Sequence, residues 1–62
     1  MNKYDRMYRI TIRLDTDTEL IFVSGARNME LAAQVAQRYA AIAYIEEDCN
    51  AARVVKIEEI RG

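Results

Sequence analysis

Tyr8-Arg9-Ile10-Thr11-Ile12-Arg13-Leu14, then Asp15-Thr16-Asp17-Thr18, then Glu19-Leu20-Ile21-Phe22-Val23-Ser24 is the stretch that decides the fold. From Tyr4 to Leu14 the residues alternate, with Tyr8, Ile10, Ile12 and Leu14 on one side and Met7, Arg9, Thr11 and Arg13 on the other. Period two with β-branched and aromatic residues predicts a strand over about residues 6–14 with one buried face. The four short polar side chains that follow hydrogen-bond readily to nearby backbone and favour a hairpin turn. Residues 19–24 then read as a second strand. Both of its faces are apolar, with Leu20 and Phe22 on one and Ile21 and Val23 on the other, so one pair is left for something other than the helix.

Downstream, Gly25 breaks the strand pattern and Asn28 is placed to accept a hydrogen bond from the first free helical amides. A helix is predicted over about residues 29–47, because Leu31, Val35, Tyr39 and Ile42 recur at three- and four-residue steps without glycine or proline. Ala32, Ala36 and Ala43 extend that face, and Ala33, Ala40 and Ala41 add helix propensity and a thin surface. Glu30 complements the positive end of the helix dipole, whereas Glu46, Glu47 and Asp48 oppose its negative end. Asn50 is the expected left-handed stop. A third strand is predicted over about residues 52–60, with the spacing of Val55, Ile57 and Ile60 implying a bulge or an early strand end.

A lone hairpin is unstable and the helix has one apolar stripe, so the expected fold is a single α+β domain over residues 1–62 of ββαβ order. A three-stranded antiparallel sheet in the order 2-1-3 carries the helix on one face, with a right-handed crossover. The other face is expected to hold Arg9, Thr11, Arg13, Ile21, Val23, Val54 and Lys56.

Composition narrows the chemistry. At 62 residues the chain supports one small core and marginal stability. Cys49 is the only cysteine and there is no histidine, so neither an internal disulfide nor a zinc site is expected, and Cys49 reads as a small apolar residue. Asp15 and Asp17 are too few ligands for calcium. Acid–base or nucleophilic catalysis lacks its usual groups, since Ser24 and Cys49 have no histidine to activate them. The chain is therefore read as non-enzymatic, with no cofactor. Ser24-Gly25-Ala26-Arg27 falls short of any phosphate-loop pattern. No apolar run approaches the ~20 residues a bilayer span requires and the N-terminal residues lack a signal-like apolar core, so a cytoplasmic protein without membrane contact is expected.

Function is then expected at surfaces. Tyr44 lies more than about 90° around the helix from the Leu31 stripe, beside Ala33, Gln37 and Ala40, where an exposed aromatic on small residues suits a protein contact. Glu46, Glu47 and Asp48, with Glu58 and Glu59 as neighbours in space, suit a basic partner surface. Ile21 and Val23 add an apolar contact on the open sheet face. The competing reading is a nucleic-acid-binding sheet, with Arg9, Arg13 and Lys56 beside Tyr4 and Tyr8 as stacking groups. A net charge of −1, from nine basic and ten acidic residues, speaks against it.

Tyr8-Arg9-Ile10-Thr11-Ile12, Leu20-Ile21-Phe22-Val23, Glu30 with Ala32, Ala33 and Ala36, and Val54-Val55-Lys56-Ile57 together resemble, in architecture and size, many small phage and mobile-element proteins, some anti-CRISPR proteins among them. The resemblance implies a domain that inhibits a host defence nuclease complex by binding it, and transfers no site residue. The expected function is thus a protein-binding module, with self-association into a homodimer left open.

Overall fold

The computed structural model describes residues 6–61. Its elements are β1 (Arg6–Leu14), β2 (Glu19–Ala26), α1 (Met29–Glu46) and β3 (Ala52–Ile60), forming an antiparallel sheet of order β2-β1-β3 with the helix on one face. The expected topology is observed. Tyr4 lies outside the described residues.

β1 is the central strand, and the side chains of Tyr8, Ile10, Ile12 and Leu14 are buried beneath the helix. The turn after it closes with Leu14 N–H to Thr18 C=O at 2.9 Å and Asp17 N–H to Leu14 C=O at 3.2 Å. Asp17 adopts φ 65° there, a left-handed conformation its short polar side chain tolerates. β2 runs two residues beyond the expected end at Ser24, because Gly25 and Ala26 continue to pair with Met7 and Arg6. Gly25 is thus a strand residue rather than part of a loop.

Asn28 caps α1 as expected, its Oδ1 accepting from Leu31 N–H at 2.9 Å. Which side of α1 meets the sheet differs from the expectation. Ala32, Ala36, Ala40 and Ala43 are the buried helix residues, Val35 and Tyr39 are half-buried, and Leu31 and Ile42 are exposed. The methyl side chains let the helix settle close to the strands, so the larger residues are carried to its flanks. On the β2 flank Tyr39 stacks on Phe22, with ring centroids 4.8 Å apart and planes 2° apart.

The helix ends at Glu46, and Glu47 N–H still reaches Ala43 C=O at 2.9 Å. The left-handed residue is Asp48, at φ 50°, rather than Asn50, so the chain reverses two positions earlier than expected. Asn50 instead donates its N–H to both carboxylate oxygens of Asp15 at 3.2 Å, and Asp15 N–H donates to Ala51 C=O at 3.1 Å. Asp15 therefore ties the β1–β2 turn to the connection leading into β3. Replacing it with alanine leaves the Asn50 N–H without this acceptor and is expected to cost about 1 kcal/mol, read as a melting temperature about 4–8 °C lower.

The irregularity in β3 is a bulge. Thr11 pairs with Lys56 and Ile12 with Val54, which leaves Val55 as the extra residue, and the strand then continues to Ile60. This overturns the placement of Val54 on the open face. Above the bulge the parity changes, so Val54 joins Ile12 on the core side while Val55 and Lys56 are exposed.

Candidate functional site

The surfaces singled out by the sequence fall on two opposite sides of the domain. Tyr44 lies on the helix layer, 50% exposed, and Ile45 beside it is 76% exposed. With Gln37, Ala40, Ala41 and Ala52 they line a shallow depression between α1 and the start of β3. The small residues let both large side chains project, while Ala40 and Ala43 on the same helix descend into the core. The exposure expected for Tyr44 is therefore observed. Ile45 continues the three-residue step from Ile42 and so reads as an extension of the core stripe; its position directly opposite the buried Ala36 on a helical wheel was the available signal.

Beyond this pair, Glu46, Glu47 and Asp48 are all exposed, and the last turn of α1 contains no basic residue. Three carboxylates therefore meet the negative end of the helix dipole without local compensation. Glu58 and Glu59 do not join them. They pair across from Arg9 and Tyr8, six residues along β1 from Asp15 and so about 20 Å from the loop that follows the helix. Cys49 is half-buried against the core, with Sγ 4.0 Å from the Tyr44 carbonyl.

The open sheet face carries Ile21 at 63% and Val23 at 54% exposure. The whole sheet separates them from the helix, so they form no patch with Tyr44. Arg9, Arg13 and Lys56 are on this face too, each held by a carboxylate. Arg9 Nη1 lies 3.2 Å from Glu58 Oε1, Arg13 Nη2 2.6 Å from Glu19 Oε2, and Lys56 Nζ 3.6 Å from Glu58 Oε2. Arg13 also faces Arg53 directly across the strands, a like-charge pair that the Glu19 contact offsets. Tyr8, an aromatic that the competing nucleic-acid reading would need at the surface, is buried in the core, as the alternation of β1 predicts.

Among the described residues no cluster of three or more histidine, cysteine, aspartate or glutamate side chains is arranged to hold a metal ion. Among the described residues no helix is long and apolar enough to cross a membrane. No protein-family model, curated protein or solved structure matches the chain.

Proposed function

We propose that the chain is a non-enzymatic protein-binding module that docks through the Tyr44–Ile45 ledge and the acidic C-terminal turn of α1. The observation that carries this reading is the pairing of two large exposed apolar side chains over alanines with three uncompensated carboxylates one turn away. An aromatic anchor over small residues gives an apolar contact centre, and a charged border steers a partner of opposite sign. The partner surface that fits is basic around an apolar recess. A subunit of a host defence nuclease complex, blocked by occupation of that surface, is the concrete form suggested by the architecture of small phage proteins. The competing reading, nucleic-acid binding through Arg9, Arg13 and Lys56, is weakened by the carboxylate at each of those cations.

The test is capture of a partner by the tagged wild-type chain, identification by mass spectrometry, and titration of the purified pair. Tyr44→Ala is expected to weaken that affinity about 30-fold, the equivalent of about 2 kcal/mol. Joint Glu46→Lys, Glu47→Lys and Asp48→Lys replacement is expected to abolish the salt-sensitive part of association, with far-ultraviolet circular dichroism unchanged. Unaltered affinity in both variants would remove this surface from consideration. Oligonucleotide binding that falls steeply with salt would favour the open sheet face instead.

A further inference from the structure

The two edges of the sheet are unequal. β3 carries Arg53, Lys56, Glu58 and Glu59 and is interrupted by the bulge at Val55, devices that discourage another strand from pairing with it. β2 has neither. Between Glu19 and Arg27 it contains no charged residue and no proline, and its register with β1 runs unbroken from Arg13↔Glu19 to Arg6↔Ala26. Alternate residues of β2 therefore present backbone N–H and C=O groups along an unguarded edge, flanked by the exposed Ile21 and Val23.

Helix α1 repeats the asymmetry. Its flank above β2 holds exposed Leu31 and half-buried Val35, which border a shallow depression with Gly25, Ala26, Gln34 and Arg38. Tyr39 on the same flank stacks over Phe22, and Ile42, one turn further along, is exposed. Both layers thus present apolar side chains along the β2 side, with Gln34 and Arg38 at the outer rim of the helix flank.

We infer that the β2 edge pairs antiparallel with the β2 edge of a second copy of this chain, producing a two-fold dimer with a continuous six-stranded sheet. A second copy fits because the edge is self-complementary. With the axis at Phe22, Ile21 lies opposite the partner's Val23, Leu20 opposite the partner's Ser24, and Glu19 opposite the partner's Gly25. The register pairs the exposed β-branched residues and places no like charges opposite each other. The bulged, charged β3 edges remain outermost and stop the sheet from growing. This inference is independent of the Tyr44 surface, which lies above β3 at the far side of each copy.

Light scattering across a concentration series, combined with amide hydrogen exchange, tests it. The expected mass is twice the 7.2 kDa of one chain. Exchange of the outward-facing amides in residues 20–25 should slow as the dimer fills. Joint Ile21→Lys and Val23→Lys replacement puts lysines opposite lysines at two symmetry-related places and should raise the dimer dissociation constant at least about tenfold. Val55→Lys, on the other edge, should leave the mass unchanged. A single-chain mass at every concentration overturns the inference, as does an open-ended polymer. So does a dimer that survives the double lysine variant with exchange in β2 unaltered. Because the exchange measurement uses the wild-type chain, a misfolded variant does not shield the inference.

Discussion

Truncating Ile12 to alanine is expected to leave a large fraction of the chain unfolded at room temperature. Ile12 is fully buried in the middle strand, paired with Leu20 on β2 and Val54 on β3. It belongs to the cluster that contains Ala36, Ala40 and Ala43 of the helix, so its side chain is where all four elements meet. Removing a buried isoleucine to alanine costs about 2–5 kcal/mol, a transfer loss plus the cavity left behind. A chain of 62 residues has about 3–9 kcal/mol in total at ~0.05–0.15 kcal/mol per residue. The cost is therefore comparable to the whole stability. Collapse around the vacancy is restricted, because Val54 is already drawn inward by the bulge and the neighbouring helix residues are alanines with no rotamers to adjust. Thermal and urea denaturation followed by circular dichroism check this. Ile21→Ala, on the open face of the same sheet, should change stability by no more than about 0.5 kcal/mol in the monomer. Similar losses for Ile12→Ala and Ile21→Ala would contradict the assignment of the two sheet faces.

The contrast between those isoleucines was legible in the sequence, since period-two alternation in β1 dictates a face for every residue once one face is buried. Strand order was legible for a related reason. A short polar turn forces β1 and β2 together, a helix must return the chain, and an antiparallel partner for β3 then exists only at β1. The Asn28 cap is a local interaction and was equally visible. What stayed hidden depends on distances between segments far apart in the chain. Asp15 looked like ordinary turn chemistry because its acceptor role is to Asn50, thirty-five positions away. Val54 was assigned to the wrong face because one bulged residue inverts the parity of everything before it. Among the candidate surface residues, Tyr44 was placed correctly by helical geometry. Ile21 and Val23 were correctly exposed, but their separation from Tyr44 by the full sheet follows only from the assembled layers. The pairing of Arg9, Arg13 and Lys56 with Glu58 and Glu19 required the cross-strand register.

The rotation of the helix about its axis is the point on which sequence and structure part most sharply, and it yields the second large expected effect. Apolar residues occur almost all round α1, so periodicity alone favours the bulky stripe of Leu31, Val35, Tyr39 and Ile42. The structure buries the alanine seam instead, with Ala36 at 0% exposure and Ile42 at 49%. A seam of methyl groups lets the helix backbone approach the sheet closely, so dispersion contacts form along the whole seam. Replacing Ala36 with leucine should therefore cost about 1–3 kcal/mol or more by forcing the layers apart. Intrinsic helix propensity hardly enters, since leucine ranks close behind alanine as a helix former. Ala41→Leu, at an exposed position of the same helix, isolates that contribution and should be nearly neutral. Ile42→Ala should lose less than Ala36→Leu, although it removes most of a large apolar side chain while Ala36→Leu adds one. If Ile42→Ala proved the more damaging substitution and Ala36→Leu were tolerated, the bulky stripe would be the buried one. Ile45 would then turn toward the sheet while Tyr44 pointed directly away from it, and the Tyr44–Ile45 ledge would have to be abandoned as a single contact surface.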